Sequence, residues 1–437
     1  MDTIYGLSTI LGRSGVAVVR ISGSKSLDLL KTFICRDIKP RQATFATLKS
    51  PVTGEILDNI IVIYFKGPNS FTGEDVVEFH LHGSIAVIKD LLKELVNIPY
   101  VRCAEPGEFT KQAFQNGKMN LIEVEALSDL IHSETTIQRR TAIHQISGHL
   151  TELYNSWKQS IIEILAQFEA YIDFPDDDIP QKAINRGLQI INSLSEQIRE
   201  HLKISEKAIA IVNGLSIAIG GPPNVGKSSI MNLLAKQEIA IVSDVAGTTR
   251  DILQIKMEIA GVGVTIYDTA GIRENVSDAV EEEGIRRAKS AIERADIKIY
   301  VFDISNLEEM QNFIIEHDAI VILNKSDLVQ DIGNLPDNFI PFSVKRLHNL
   351  NILLSRIQSM IEEKCSVASD AIVTTHQRQK KKLLDVLFYL GSIDLSEPLE
   401  MTAEKVRSAV ASIEYITGKI TLDDVLDKIF SSFCIGK

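Results

Sequence analysis

The chain has 437 residues, carries 46 basic and 58 acidic side chains, and has a net charge of −12 at neutral pH. This length exceeds what a single hydrophobic core usually supports, so two to three domains are predicted. The acidic balance argues against broad, non-specific coating of nucleic acid, although a local basic patch could still bind RNA.

The cysteines and the apolar stretches exclude further classes of protein. The longest apolar stretch, 208–219, is interrupted by Asn, Gly and Ser, so no membrane-spanning segment is predicted. No basic region followed by an apolar run opens the chain, so no signal peptide is predicted, and a reducing cytoplasm fits. Four cysteines lie far apart without a C-x-x-C pair, which argues against a zinc site and a disulfide framework: Cys35, Cys103, Cys365 and Cys434.

The first segment, 1–118, predicts an α+β domain. Apolar positions at helical spacing predict a helix over 85–96 that packs on a sheet. From the residues alone, Arg20, Glu78 and Lys118 are ordinary surface charges. Three short apolar or alternating runs bounded by Gly, Pro and Asn predict strands, at 16–21, 59–65 and 76–82.

Two histidines, His80 and His82, share one face of the third predicted strand. A metal pair is one interpretation of this spacing. Because no third ligand is evident, ordinary histidines on the face of a sheet are the favoured interpretation.

The spacing of apolar residues becomes helical over 119–210 and again over 369–437. An acidic turn at 174–180 lacks the Gly and the terminal Glu of a calcium loop, so it is predicted to be a solvated connector. Helices on both sides of a self-contained α/β segment, 211–368, predict one helical domain with the α/β domain inserted into it.

A phosphate-binding loop is predicted at 221–228, which matches the pattern G-x-x-x-x-G-K-[ST]. An apolar run at 215–219 precedes it and helical spacing at 230–234 follows it, which is the strand-turn-helix context that the pattern requires. Its backbone N–H groups and the helix N-terminus would hold a polyphosphate, and Lys227 would neutralise the outer phosphates. The Ser228 hydroxyl would coordinate Mg²⁺.

Three further motifs have the order and spacing of a Ras-like GTPase. Asp268 follows the alternating segment 262–267, which is predicted to be a strand, and opens Asp-Thr-Ala-Gly. It would hold Mg²⁺ through water, while the Gly271 N–H would contact the γ-phosphate. In Asn-Lys-Ser-Asp, the carboxylate of Asp327 offers two acceptors that match adjacent N–H donors of guanine. Between these lies 247–251, Gly-Thr-Thr-Arg-Asp, in which Thr249 can reach the same Mg²⁺.

The catalytic apparatus differs from that of Ras, where a Gln after the Asp-Thr-Ala-Gly motif orients the attacking water. Here that position is Ile272, which cannot form hydrogen bonds. The acidic run 281–283 is the nearby candidate, although it could instead complement the dipole of a helix over 284–294. Asn224 could help to hold a monovalent cation where an arginine finger lies in other GTPases.

Several blocks outside the GTPase motifs carry a resemblance to a known family. They are Asp2-Thr3-Ile4, Gly15-Val16, Arg20-Ile21-Ser22-Gly23, 72–78, 104–110, Ala113-Phe114, Asn116-Gly117-Lys118 and the closing 433–437, Phe-Cys-Ile-Gly-Lys. On these blocks together with the GTPase motifs, the chain resembles the MnmE (TrmE) family of tRNA modification GTPases over essentially its whole length.

The resemblance implies a fold, partners and cofactors. The expected fold is multidomain α+β and α/β: an N-terminal tetrahydrofolate-binding and dimerisation domain, a helical domain, and a P-loop GTPase domain inserted into the latter. The expected activity is a K⁺-activated GTPase that forms a homodimer and works with the flavoprotein MnmG, in a heterotetramer or larger complex, on the wobble uridine U34 of tRNA. The one-carbon donor would be 5-formyl- or 5,10-methylene-tetrahydrofolate, and FAD and NADH would enter only through the partner.

The resemblance also assigns residues. Folate would be contacted by Arg20, Glu78, Lys118 and Lys437. Cys434 would have either a chemical or an accessory role, and Arg250 and Arg273 are further candidates for an accessory role. K⁺ would be held by the side chains of Asn224 and Thr248 and by the carbonyls of Ser243 and Val245. Mg²⁺ would be held by Ser228 and Thr249, and Glu281 matches the catalytic Glu, which acts through a water bridge. The residues expected to contact GTP are Asn224, Val225, Gly226, Lys227, Ser228, Ser229, Ser243, Asp244, Val245, Ala246, Gly247, Thr248, Thr249, Asp268, Thr269, Ala270, Gly271, Asn324, Lys325, Asp327, Ser343, Val344 and Lys345.

Four positions depart from the family pattern. Ser243 replaces a Thr, and Val344 replaces an Ala whose N–H supports guanine; neither change removes the backbone group concerned. Gln112 replaces an Arg, and Ser84 replaces a Gly. These two changes bear on the geometry of the N-terminal domain and on its affinity for folate.

Two other functions compete with tRNA modification. A regulatory or ribosome-assembly GTPase would be expected to carry an RNA-binding appendage such as a KH domain with a GXXG loop, and the sequence contains none. A folate enzyme in which GTP is only regulatory would need GTP binding, but not GTP hydrolysis, for product formation.

Overall fold

The structure is a computed structural model, and it divides into two compact units. The first contains 1–132, 142–195 and 381–437, and the second contains 133–141 and 196–380. The residues described are 2–173, 181–236, 254–268, 295–329, 335–336, 338–365, 372–394 and 396–418, with 426, 429–431, 433 and 436.

A six-stranded sheet forms the N-terminal part of the first unit. Its strands lie in the order β3-β4-β5-β2-β1-β6, and all neighbours are antiparallel except β1 and β6. The strands are β1 (Thr3–Leu7), β2 (Ser14–Ser22), β3 (Thr44–Lys49), β4 (Ile56–Phe65), β5 (Val76–Gly83) and β6 (Val101–Cys103).

One face of this sheet is covered by helices α1 (Ser26–Phe33) and α2 (Ile85–Val96), whose apolar sides join its core. Successive side chains of a strand point to opposite faces. Ile21 and Phe79 are therefore fully buried on the helix side, and Arg20 and Glu78 lie on the other side. The register pairs Arg20 with Glu78 directly across β2 and β5. The sheet thus brings together two charges that are 58 positions apart in the chain.

Helices form in both parts of the chain, 119–210 and 369–437, for which the spacing of apolar residues predicted them. Helix α11 (Leu399–Thr417) packs along α6 (His149–Asp173) in the first unit, and ion pairs link Arg407 to Glu169 and Lys158 to Glu414 at the edges of this contact. The helices are α3 (Glu108–Gln115), α4 (Leu121–His132), α5 (Thr136–Ile146), α6 (His149–Asp173), α7 (Gln181–Val212), α10 (Gln377–Gly391) and α11 (Leu399–Thr417).

The second unit contains a second six-stranded sheet, in the order β12-β11-β10-β7-β9-β8. All neighbours are parallel except the hairpin β8–β9, and α8 (Lys227–Ala235) and α9 (Leu350–Cys365) contribute to the core beside the sheet. In such a sheet, ligands bind at the carboxyl ends of the strands. The strands are β7 (Leu215–Gly220), β8 (Gln254–Ile259), β9 (Val262–Asp268), β10 (Ile297–Asp303), β11 (Ile320–Asn324) and β12 (Phe339–Pro341).

The predicted fold class, multidomain α+β and α/β with a Ras-like P-loop domain, is confirmed. The predicted strands at 16–21, 59–65, 76–82, 215–219 and 262–267 and the helix at 85–96 are present. Short strands such as β1, β6 and β12 were not predicted, because three to five residues hold too little of a period to stand out. Among the described helices, none is long and apolar enough to cross a membrane. The predicted acidic turn at 174–180 and the helix at 284–294 lie outside the described residues.

Candidate functional site

The loop 221–228 joins β7 to α8 at the carboxyl end of a central strand. Gly221 and Gly226 have φ angles of 137° and 101°, which residues other than glycine rarely adopt. A Cβ on Gly226 would lie 2.4 Å from Nδ2 of Asn324, and one on Gly221 would lie 2.1 Å from the carbonyl oxygen of Val301. The backbone of this loop therefore passes close to β10 and β11, as a cradle made of backbone groups must.

Lys227 is the first residue of α8, and only 5% of its surface is exposed. Its Nζ donates hydrogen bonds to the carbonyl oxygens of Gly221 (2.8 Å) and Pro222. The loop thus encloses the ammonium group at the positive end of the helix dipole. Ser228 and Ser229 follow in the first turn and are exposed. This arrangement concentrates positive potential where a polyphosphate would bind.

Asp268 ends β9 directly opposite Ile219 of β7, so its backbone lies at the same sheet edge as the phosphate loop. The structure therefore brings together two of the four predicted motifs. The side chain of Asp268 is outside the described part of the chain. The other predicted site residues outside the described ranges are Ser243, Asp244, Val245, Ala246, Gly247, Thr248, Thr249, Arg250, Thr269, Ala270, Gly271, Arg273, Glu281, Cys434 and Lys437.

The Asn-Lys-Ser-Asp motif begins at the end of β11. The buried Asn324 donates through Nδ2 to the carbonyl oxygen of Val225 (2.8 Å), which joins the motif to the phosphate loop. Lys325 has a left-handed backbone with φ of 64°, and its Nζ forms an ion pair with Asp303 at the end of β10. The ends of three neighbouring strands are thus connected by side chains.

The predicted guanine-supporting loop, 343–345, lies against the same motif. The Ser343 hydroxyl donates to Oδ1 of Asp327 (2.6 Å), and the Val344 N–H donates to Oδ1 of Asn324 (3.4 Å). Val344 keeps the N–H that the family pattern requires at this position, and the adjacent Lys345 is exposed. The structure therefore brings the two predicted guanine-binding segments into contact.

Hydrogen bonding keeps two carboxylates of this site ionised. The bond from Ser343 lowers the pKa of Asp327 below its ordinary value. Burial by itself would raise the pKa of Asp303, but the hydrogen bonds from Lys325 and Ser305 outweigh it, so that this pKa is also lowered. At neutral pH the carboxylate of Asp327 therefore offers acceptors only, as contact with guanine N–H donors requires.

A second cluster lies in the first unit, on the sheet face away from α1 and α2. It consists of Arg20, Glu78, Phe71 and Phe109 and is named the Arg20 cluster. Arg20 and Glu78 have side-chain exposures of 19% and 16% and form an ion pair at 2.9 Å. A further nitrogen of Arg20, Nη1, donates to the carbonyl oxygen of Gly436 (3.2 Å). The guanidinium lies 5.8 Å from the ring centres of both Phe71 and Phe109. These charges are therefore not the ordinary surface charges that the residues alone suggest.

Lys118 lies beside the loop that carries Phe71. Its Nζ donates to the carbonyl oxygen of Pro68 (2.9 Å), while the Asn116 side chain donates to the carbonyl oxygen of Thr72 (2.8 Å). The loop 66–75 thus contacts both Arg20 and the segment that ends in Lys118. Three of the four predicted folate-binding residues lie around it.

The two departures in the N-terminal domain are accommodated. Gln112 is buried and satisfied, because its Oε1 accepts a hydrogen bond from the Ser22 hydroxyl (2.7 Å) and its Nε2 donates to the carbonyl oxygen of Asp2. Ser84 has φ of −95° and ψ of 126°, an extended conformation that does not require glycine. Neither residue distorts the backbone around the cluster.

His80 and His82 bind two separate carboxylates. The ring of His80 contacts Glu78 at 3.2 Å, and that of His82 contacts Asp58 at 2.7 Å. Within the described ranges, no group of three or more potential ligands could hold a metal ion. The favoured interpretation, ordinary histidines on the face of a sheet, agrees with these contacts.

Sequence reasoning missed three residues of these clusters. Asp303 ends a buried apolar strand beside the motif at β11, and that position was a signal that could have identified it. Ser8 and Gly436 both reach the Arg20 cluster, Ser8 by donating to the carbonyl oxygen of Gly436 (3.0 Å). No local pattern indicates this contact, because the two residues are 428 positions apart.

Comparison with known proteins gives matches along the whole chain. The family model of the MnmE helical domain matches residues 121–434, and that of the GTP-binding protein TrmE N-terminus matches residues 3–118. The chain is 42% identical over 446 residues to a tRNA modification GTPase MnmE from Rickettsia bellii (strain RML369-C), covering 100% of both chains. The values are the same for the tRNA modification GTPase MnmE from Rickettsia canadensis (strain McKiel). Among solved structures, Era in complex with MgGDPNP and a segment of 16S ribosomal RNA is 28% identical, with 33% of this chain and 56% of that chain covered at a TM-score of 0.27.

Proposed function

The chain belongs to the MnmE family of tRNA modification GTPases, and from this membership we propose that it couples GTP hydrolysis to the addition of a (carboxymethyl)aminomethyl group to C5 of the wobble uridine U34 of tRNA. Tetrahydrofolate, as the 5-formyl or the 5,10-methylene form, is the proposed one-carbon donor. The flavoprotein MnmG is the proposed partner and supplies FAD and NADH. The observation that carries this proposal is the convergence of Arg20, Glu78 and the chain end near Gly436, in a chain that also carries a GTPase site.

The GTP site would work mainly by positioning and by charge. Lys227 lies inside the phosphate loop and would neutralise the outer phosphates, while Asp327 would hold guanine. Ser228, Thr249 and Asp268 are the proposed residues that hold Mg²⁺, directly or through water. The position of Ser228, an exposed residue at the start of α8, and the backbone cradle at 221–228 suit this role. When bound, Mg²⁺ would supply charge neutralisation between the β- and γ-phosphates.

K⁺ is proposed in the place of an arginine finger. Asn224 lies exposed in the phosphate loop, with a left-handed backbone (φ of 59°). Its side chain can therefore help to hold an ion whose coordination shell would be completed when two GTPase domains pair. The remaining proposed ligands are Ser243, Val245 and Thr248. A fixed positive charge at this position is physically adequate for a transition state in which negative charge is spread over the phosphoryl oxygens.

Hydrolysis should therefore depend on the identity of the alkali ion. Replacing K⁺ by Na⁺ at equal ionic strength is expected to lower the rate of GTP hydrolysis by at least about tenfold, since the smaller ion fits the same oxygen cage poorly. The rate is measured by phosphate release in both salts, and an Asn224→Ala variant should lose the difference. A wild-type rate that is the same in K⁺ and Na⁺ would refute the assignment of Asn224 to a cation.

Folate is proposed to bind beside the Arg20 cluster. Arg20 and Glu78 are mostly shielded from solvent, and Phe71 beside them, which is 40% exposed, offers a flat apolar surface to an aromatic ring system. Lys118 is proposed to contact the same ligand, as is Lys437, which follows Gly436 in the sequence. The ligand would supply a one-carbon unit, and these residues would bind and orient it.

Self-association and location complete the proposal. The sheet face that carries Arg20 also exposes Phe45, at 67% of its surface, and its cross-strand partner Ile61. An open apolar face supports a homodimer through the N-terminal domain, in addition to K⁺-dependent pairing of the GTPase domains. The proposed site of action is the cytoplasm, where tRNA and MnmG would be met. The domain limits 118, 210 and 368 remain predictions.

The decisive experiment separates hydrolysis from binding. In cells that lack the native protein, the variants Asp268→Ala and Glu281→Ala are expected to abolish U34 modification, because neither can complete hydrolysis. The measurement is nucleoside analysis of tRNA, and Glu308→Ala, which changes an exposed carboxylate of the same unit, serves as the control. Wild-type modification by either site variant would remove hydrolysis from the mechanism and favour a regulatory role for GTP.

A further inference from the structure

The end of the chain is held at two places within the first unit, one against helices and one against the sheet. Phe430 and Phe433 are buried in an apolar cluster with Phe114 of α3 and Leu121 of α4. Next to this cluster, a Cβ on Gly107 would lie 2.4 Å from the carbonyl oxygen of Phe430, so only glycine fits there. We name this contact the aromatic anchor.

The second fastening point is Gly436, which is itself buried. Its φ is 100°, and a Cβ on it would lie 2.4 Å from the carbonyl oxygen of Leu7. A Cβ on Gly6 would approach the Cα of Gly436 to 3.3 Å and Phe109 to 3.2 Å. Two glycines therefore allow the backbone of the chain end to lie directly on β1. Gly6 and Ser8 together are called the tail seat.

The Gly436 carbonyl is shared between Ser8 of the tail seat and Arg20. The Gly436 carbonyl accepts from the Ser8 hydroxyl at 3.0 Å and from Nη1 of Arg20 at 3.2 Å. The remaining nitrogens of Arg20, Nε and Nη2, both face Glu78. The Ser8 N–H donates to the carbonyl oxygen of Val18 (2.8 Å), so its backbone continues the β1–β2 ladder and holds the hydroxyl in place. The direction of the guanidinium is therefore set from two sides, by Glu78 and by the seated chain end.

We propose that Ser8 and Gly6 are positioning residues for the proposed folate site. They hold the chain end against β1, and the Gly436 carbonyl of that chain end orients Arg20. This inference rests on the proposed function, which assigns folate to the Arg20 cluster. It predicts that seating of the tail and binding of folate are coupled. By linkage, folate binding should favour the bound position of the chain end by the same factor by which that position raises the affinity for folate.

The test uses the full-length protein and two readouts. The first is the rate at which a carboxypeptidase releases the C-terminal residues of the folate-free protein. This rate reports only how firmly the chain end is held against β1. The second is the dissociation constant for 5-formyltetrahydrofolate, measured by calorimetry. The variants are Ser8→Ala and Gly436→Ala, with Ser8→Thr as the conservative rescue. The control is Ser14→Ala, which removes a hydroxyl that donates instead to the Val16 carbonyl.

Ser8→Ala is expected to raise both the release rate and the dissociation constant by about fivefold, the usual effect of losing one neutral hydrogen bond. Gly436→Ala should have an effect of more than about tenfold, because it adds a steric clash to an unfavourable φ. Ser8→Thr should stay near the wild type, and folate should slow release in the wild type. GTP hydrolysis should be unchanged in every variant, and the melting temperature should be unchanged in Ser8→Ala and Ser8→Thr, which excludes general unfolding as the cause of their effects.

The two proposals fail in different ways. If Ser8→Ala and Gly436→Ala match Ser14→Ala in both readouts, the tail seat has no positioning role and the inference is overturned. If the wild-type protein does not bind 5-formyltetrahydrofolate while Ser8→Ala still speeds release of the chain end, the folate assignment is wrong and the inferred role at a folate site falls with it. A normal dissociation constant in a variant with a released tail would overturn the coupling to Arg20.

Discussion

Replacing Lys227 by alanine is expected to lower GTP hydrolysis by at least about a hundredfold, which is the usual loss when one preorganised group that stabilises transition-state charge is removed. The physical reason is the position of the ammonium group. It is buried at the N-terminus of α8 and hydrogen-bonded to the phosphate loop, so its electrostatic effect is screened little by water. The measurement is single-turnover hydrolysis of GTP in K⁺, together with the affinity for a non-hydrolysable GTP analogue.

A matched control lies at the other end of the same helix. Lys236 is the C-cap residue of α8 and is exposed, so Lys236→Ala removes the same charge from the same helix without touching the loop. Hydrolysis by this variant should remain within about twofold of the wild type. If Lys227→Ala hydrolysed GTP as fast as Lys236→Ala, the loop 221–228 could not be the phosphate site.

The second large effect is expected for Asp327→Asn, which should change the base that the protein prefers. The ionised carboxylate offers two acceptors to the two neighbouring N–H donors of guanine, whereas an amide offers one acceptor and one donor. GTP affinity should therefore fall by roughly a hundredfold, because a donor of the base is left facing a donor. Xanthosine triphosphate carries a carbonyl where guanine carries its amino group, so its affinity should rise.

The measurement is competition of GTP, ATP and xanthosine triphosphate against a fluorescent GTP analogue. Asp303→Asn is the informative comparison, because this carboxylate pairs with Lys325 of the same motif at the neighbouring strand end. It should weaken GTP binding without a gain for xanthosine triphosphate. An Asp327→Asn protein that still prefers GTP to xanthosine triphosphate would show that another group recognises the base.

The GTPase motifs could be located from the sequence because their chemistry is local. A glycine-rich loop between an apolar strand and a helix needs only eight adjacent residues, and the structure has β7, the loop and α8 in that order. The strand ahead of Asp268 was likewise visible, since Val262–Asp268 alternates in the expected way. Parallel strands then bring their carboxyl ends together, so the order of the motifs implied a common site.

Contacts between distant parts of the chain could not be predicted in this way. The ion pair of Arg20 with Glu78 depends on the register between β2 and β5, which no single segment specifies. The departure at Gln112 raised a question that only its buried partners answered, since Ser22 and Asp2 are far from it in the sequence. The resemblance to a family indicated which residues matter, but not which atoms they contact.

The sequence by itself determined the type of nucleotide, the fold class and the insertion of one domain into another, because phosphate loops and the periods of helices and strands are written in neighbouring residues. Only the tertiary structure decided that the chain end lies on β1, with its Gly436 carbonyl on Ser8 and Arg20. The physical reason is that this contact joins residues more than 400 positions apart. It exists only once two glycines have let separate backbones approach each other.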